Sequence, residues 1–193
     1  MVPPPLHLAS ASPRRRELLA ALGLDFSAAG EDLDERPLPG EAAADYVCRL
    51  ALAKARAAQG SRPECAILGS DTSVALGETL FGKPASGEEA AAMLAALSGR
   101  THRVLTGVAL LYRERERVVR VESEVSFRAI SPAEARAYWA SGEPRDKAGG
   151  YALQGLGGIF VSRLAGSYSA VIGLPVFETA ALLREIGIEV LKA

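Results

Sequence analysis

Apolar and polar positions change period several times along the chain, and each change predicts an element. Leu6-His7-Leu8-Ala9 is a short strand, and Ser12-Pro13 after it offers an N-cap with proline at the first helical position. Leu18, Leu19 and Leu22 give that helix its apolar side, and Gly23 ends it. A polar loop from Glu31 to Gly40 leads into a second helix, closing near Gly60, in which Val47, Leu50 and Lys54 share one face. Cys65 to Leu68 is a buried strand ending in Gly69-Ser70-Asp71-Thr72, with Val74 to Leu76 as its extended continuation. Ser86-Gly87-Glu88-Glu89 reads as a capping box opening a helix that stops at Gly99.

Two long strands follow, His102 to Tyr112 and the alternating Val119, Val121, Ser123, Val125 and Phe127. The charged turn Arg113 to Glu116 joins them into an expected antiparallel ribbon. Ser131-Pro132-Ala133-Glu134 is another capping box, its helix running through Tyr138 and Trp139 to Gly142. Beyond the glycine-rich stretch from Gly149 to Gly158 come a strand over Ile159 to Leu164 and a last helix after Pro175. With no internal repeat, low-complexity linker or clean domain boundary, this order predicts an α/β or α+β fold with a mixed sheet.

Composition narrows the class. With 193 residues, 49% of them hydrophobic and 23% charged, the chain can bury a core as one domain or two closely packed lobes. A net charge of -1 provides no global positive field, so any polyanion must be gripped by local clusters, and nucleic-acid binding gains no support. Cys48 and Cys65 stand apart in apolar stretches, where small buried hydrophobes are expected. Met1-Val2-Pro3-Pro4-Pro5 lacks a basic region followed by an apolar run, and no stretch approaches the ~20 apolar residues of a membrane span. A cytoplasmic protein, away from membranes, is the expectation.

A few placements run against local preference. Arg14, Arg15 and Arg16 crowd the first turn of a helix, where the macrodipole already repels cations. Either the turn is simply solvated, or a polyanion docks there on guanidinium forks and free backbone N–H groups. Lys54, on an apolar stripe, either snorkels to water or points into a polar cleft. Asp71 follows an apolar strand behind a glycine, at a strand end where α/β proteins build sites, although Asp is also an ordinary turn former. Gly82-Lys83-Pro84 adds a cation in a rigid turn, and Asp146 to Tyr151 a charged, glycine-rich loop.

No P-loop and no dinucleotide fingerprint is present. His7 and His102 are the only histidines, form no zinc pattern with the cysteines, and support no Ser-His-Asp or Cys-His arrangement. Cations for phosphates and carboxylates for a metal and a water remain, an inventory suited to phosphate-anhydride hydrolysis.

Several separated strings resemble one family. Ala9-Ser10-Ala11-Ser12-Pro13-Arg14-Arg15-Arg16-Glu17-Leu18-Leu19 is similar to the N-terminal signature of the Maf nucleotide pyrophosphatases. Gly69-Ser70-Asp71-Thr72, Gly82-Lys83-Pro84 and Leu97 to His102 resemble its central motifs. Asp146 to Tyr151 through Gln154-Gly155, with Gly166-Ser167-Tyr168 and Val171 to Pro175, resembles its C-terminal part. Ser70, where alanine is usual, and Gly150 depart from the pattern.

The resemblance implies a two-lobed α/β fold, a mixed twisted sheet with flanking helices around a central cleft, similar to inosine triphosphate pyrophosphatases. It implies Asp71 as proton acceptor, Lys54 and Lys83 as catalytic support, and Ser10, Arg14, Arg15, Thr72 and Gln154 as substrate contacts. Glu35 and Asp71 would hold a divalent cation, Mg²⁺ or Mn²⁺. Arg14, Thr72 and Gln154 resemble the dTTP/UTP branch; the 7-methyl-GTP branch of the same family is the alternative, and a non-catalytic nucleotide or nucleic-acid binding regulator is an alternative of another class. The long ribbon offers a pairing surface for a homodimer.

Overall fold

β1 (Leu6–Ala9) is buried at all four positions, as a central strand must be, and pairs in parallel with β2 (Phe26–Ala29) on one side and β3 (Ala66–Leu76) on the other. α1 (Pro13–Ala20) and α2 (Ala43–Gln59) supply the crossovers that parallel strands require. These assignments come from a computed structural model that describes residues 3–191, so Met1 and Val2, part of the stretch read for a leader, lie outside the described residues.

β3 does not end at Gly69. It runs through Asp71 to Leu76, which places Asp71 inside an eleven-residue strand rather than at a strand end. Ser70, Asp71 and Ser73 are buried polar residues; they interrupt the apolar run that marks the strand in the sequence while leaving its backbone extended.

β4 (Thr79–Phe81) folds back on β3 antiparallel. The order continues with α3 (Gly87–Leu97), β5 (Thr101–Tyr112), β6 (Arg115–Phe127), α4 (Pro132–Ala140), β7 (Val161–Ala165), α5 (Tyr168–Ile172) and α6 (Val176–Arg184). Hydrogen-bonded neighbours run β2-β1-β3-β5-β6-β7, with β4 on β3, and β6 pairs antiparallel with β7. The fold is therefore α/β with a seven-stranded mixed sheet and flanking helices. β5 and β6 are joined by Arg113-Glu114, a connection short enough for antiparallel strands alone.

One capping-box expectation is met in full and several others are corrected in detail. Ser131 and Glu134 form the reciprocal capping box. At Ser86 only half of one forms: its side chain accepts from the Glu89 N–H, while the Glu89 carboxylate accepts from Ala85 instead. Ser12 occupies the N-cap position of α1 without a side-chain cap. A 3-10 turn over Leu156–Phe160 takes the start of the expected Ile159 to Leu164 strand, so β7 begins at Val161. Cys48 and Cys65 are free thiols, only half-buried.

The contacts divide the chain into two compact units. The first comprises the described residues up to Asp71, Thr106–Val121 and those from Gly173 onward; the second comprises Thr72–Leu105 and Glu122–Ile172. The first unit has cores around Leu8, Leu68, Leu110 and Leu183, and around Ala51, Ala55 and Ile67 under α2. The second packs Leu94, Leu97, Val125, Phe127, Tyr138 and Phe160. Buried His102 belongs to this second core, its Nε2 2.8 Å from the Tyr151 hydroxyl and its ring edge-on to Phe127. No helix of the described residues is long and apolar enough to cross a membrane.

Candidate active site

The site in the first unit starts from how closely α2 lies on the sheet. A Cβ on Gly69 would collide with the Ala51 carbonyl oxygen, and one on Gly107 with that of Val47. Only glycine at both strand positions lets the helix backbone approach this far. The stripe of Val47, Leu50 and Lys54 is then turned inward, and Lys54 is 8% exposed, too deep to snorkel. Its Nζ donates to Asp71 Oδ1 at 2.7 Å and pairs with Glu35 Oε1 at 2.6 Å. Lys54 therefore points at two carboxylates rather than out to water.

Glu35 sits in the irregular loop before α2, and α2 holds that loop in place. The Tyr46 hydroxyl donates to the Glu35 carbonyl at 2.9 Å. Arg49 makes a fork on Glu41 with contacts of 2.5 and 2.7 Å and donates to the Arg36 carbonyl. Burial, with Asp71 and Glu35 acting alongside, pushes the Tyr46 phenol up to about 12, so it stays a proton donor to the loop at neutral pH. No motif in the sequence marks Tyr46, although it stands eight residues before Lys54 on the same side of the helix.

The three arginines of α1 separate. Arg15 turns inward: its Nε donates to the Gly173 carbonyl at 2.9 Å and its Nη1 to Ser10 Oγ at 3.3 Å. Burial lowers the Arg15 pKa from its ordinary value, opposed by the charges of Asp71 and Glu35, which marks these three groups as one electrostatic neighbourhood. Arg14 is half-buried on the same turn, whereas Arg16 is exposed and reaches the Ala28 carbonyl of β2. Ser10, buried, also accepts from the Ser12 N–H at 3.2 Å, so its hydroxyl organises the loop from β1 into α1. Ser70 Oγ lies 2.9 Å from the carbonyls of both Gly107 and Gly173. The Gly173 carbonyl thus serves Ser70 and Arg15 together, a link that the sequence does not signal.

The structure therefore brings Ser10, Arg15, Glu35, Lys54 and Asp71 into one unit with Arg14. Thr72, Lys83 and Gln154 belong to the other. Thr72, half-buried, directly follows Asp71 in β3; Lys83 is exposed in the turn after β4; Gln154 is exposed in the segment before the 3-10 turn at Leu156.

Among the described residues no group of three or more His, Cys, Asp or Glu could hold a metal. Glu35 and Asp71, gathered on one ammonium nitrogen, form a two-carboxylate oxygen set. Such a set suits a hard cation like Mg²⁺, which keeps waters and takes other ligands from substrate phosphates, and does not suit a closed zinc cage. Chemically, the cluster offers a carboxylate base, fixed cations for anionic oxygens and a hard-cation foothold.

The family model described as Maf-like protein matches residues 5–186. A "dTTP/UTP pyrophosphatase" of Hahella chejuensis is 52% identical over 188 residues, 96% of this chain and 94% of that protein. Proteins of the same name from Myxococcus xanthus and Methylococcus capsulatus are 55% and 50% identical, each over 95% of this chain and 93% and 91% of their own lengths. A solved structure, "The structure of the Staphylococcus aureus Ham1 protein", is 14% identical with a TM-score of 0.46 over 63% of this chain and 71% of that one, too slight a likeness to carry an argument.

Proposed function

The chain belongs to the Maf-like protein family, and from that premise we propose that it is a hydrolase cleaving dTTP and UTP to the monophosphate and pyrophosphate. Near-full-length relatives at about half identity carry that name, and the observation that carries the chemistry is the buried Asp71–Lys54 pair joined by the partly exposed Glu35 beside Arg15.

Asp71 takes the proton of a water that attacks the α-phosphorus, and the pyrophosphate leaves. Arg15 and Lys54, with Arg14 and Lys83, hold the triphosphate oxygens, and Ser10 fixes the loop that presents the arginines. Glu35 and Asp71 would hold a divalent cation, Mg²⁺ or Mn²⁺, which would neutralise phosphate charge. Arg14, Thr72 and Gln154 discriminate the base; the Gln154 amide offers both a donor and an acceptor, which fits a pyrimidine O/N–H edge. The reading includes a cytoplasmic location and leaves the ribbon as a face for a homodimer.

Pyrophosphate release from dTTP, UTP and 7-methyl-GTP with Mg²⁺ or Mn²⁺ tests this. The pyrimidine triphosphates should be the better substrates, and Asp71→Asn should lower kcat by ~10² to 10⁴ while the protein stays folded. Undiminished turnover in that variant removes Asp71 as the base, and preference for 7-methyl-GTP removes the pyrimidine assignment.

A further inference from the structure

The second unit holds a carboxylate that the proposed reaction does not use. Gly142, with φ of 81°, ends the run of α4 and swings the chain into a 3-10 turn that begins at Glu143. The Glu143 carboxylate is then fully engaged by one short segment and its neighbour. Its Oε1 accepts from the Tyr138 hydroxyl at 2.6 Å and from the Gly157 N–H at 3.0 Å, while Oε2 accepts from the Leu156 N–H at 2.9 Å. The Tyr138 hydroxyl in turn accepts from the Ala152 N–H at 3.0 Å.

These bonds grip both ends of one segment. Ala152 is held at its start, Leu156 and Gly157 at its end, and exposed Gln154 lies between. Gly155 completes the fit, since a Cβ there would land on Glu143 Oε2. Burial pushes the Glu143 carboxyl up, yet the bonds from Tyr138, Gly157 and Leu156 outweigh it and leave its pKa below the ordinary value, so it remains a charged acceptor. Tyr138 is anchored in the second core and edge-on to Phe160, so the clamp is mounted on rigid packing. A surface turn of this length would otherwise sample many conformations, and a reader of base edges must not.

We propose that Glu143, with Tyr138, is the positioning pair for Gln154, fixing the 152–157 segment so that its amide meets the base in one orientation. This inference rests on the reading of Gln154 as a base contact. Glu143 touches no reacting atom. It acts on selectivity and binding rather than on the hydrolytic step.

The experiment is a double-mutant cycle. Wild type, Glu143→Gln, Gln154→Ala and the double variant are compared for kcat and KM on UTP and 7-methyl-GTP. Tyr138→Phe is a second arm that keeps the ring packing, and each variant's unfolding midpoint verifies that it is folded. Glu143→Gln should raise KM for UTP about tenfold, as expected for loss of a charge-assisted bond, with kcat changed by less than about twofold. The preference for UTP should fall in parallel. In the Gln154→Ala background, the same Glu143 substitution should add less than about twofold, because coupled residues are non-additive.

An effect of equal size in both backgrounds, or a loss confined to kcat, overturns the positioning role. A wild-type enzyme inactive on dTTP and UTP instead sinks the functional assignment, and this inference with it. An active wild type whose selectivity survives Gln154→Ala removes Gln154 as the base reader while leaving the hydrolase reading intact.

Discussion

At Lys54 one ammonium group pairs with two carboxylates, and the consequences of losing it follow from burial. The Lys54 and Asp71 side chains are 10% and 9% exposed, whereas Glu35 is 42% exposed. Removing one partner of a buried pair typically costs about 3 to 5 kcal/mol, because the other charge stays desolvated and alone. Lys54→Met should therefore destabilise the fold by about 3 kcal/mol, the low end, since Glu35 can turn to water. Chemical denaturation measures this, and adding Asp71→Asn to Lys54→Met should recover part of the loss. If the two losses simply add, the ion pair makes no net contribution. The cations show how far single residues were legible. Arg14, Arg15 and Arg16 are equivalent in sequence because each is a cation on the first turn, and the acceptors that hold Arg15 inward include the Gly173 carbonyl, far away in the chain.

The element that decides the site is α2, and two glycines decide how near it comes. At Gly69 an added Cβ meets the Ala51 carbonyl oxygen, the Ala55 nitrogen at 2.9 Å and the Ala55 Cβ at 3.0 Å. Two of these are backbone atoms, so relief requires moving the helix. Gly69→Ala should cost about 1 to 3 kcal/mol through overpacking and lower activity as well, because a displaced helix takes Lys54 away from Asp71. Gly60, at the helix C-cap with φ of -57° and open space around it, is the control: Gly60→Ala should be neutral or stabilise by about 0.4 to 1 kcal/mol. Thermal melts and turnover of the two variants, measured side by side, separate the cases; equal stability at both positions would deny α2 its close packing. The stripe of α2 was readable because Val47, Leu50 and Lys54 repeat with helical spacing. β2, β4 and α5 were not, being four, three and five residues long with no period to detect. The true length of β3 was hidden for another reason: Ser70, Asp71 and Ser73 look like a turn until their burial is known.

For the molecule as a whole, pH tests the second core. His102 is 1% exposed, its Nδ1 has no hydrogen-bond partner among the described residues, and burial lowers its pKa to about 4 from 6.5. Between those values the unfolded chain binds a proton that the folded chain refuses, so stability must fall as pH falls through the window. The expected loss reaches about 2 kcal/mol by pH 5, from the difference between the two pKa values. His7, also lowered chiefly by burial and next by Arg62, acts in the same direction. Comparing urea midpoints at pH 7.5 and pH 5 stays above the range in which the carboxylates with lowered pKa take up protons, so the histidines dominate the difference. His102→Gln cannot gain the charge and should flatten most of that dependence while lowering stability at pH 7.5, because the amide fills the aromatic site less well. A wild-type protein equally stable at both pH values would mean that His102 accepts its proton in the folded state, and that the core around Phe127 and Tyr151 is open enough to solvate it.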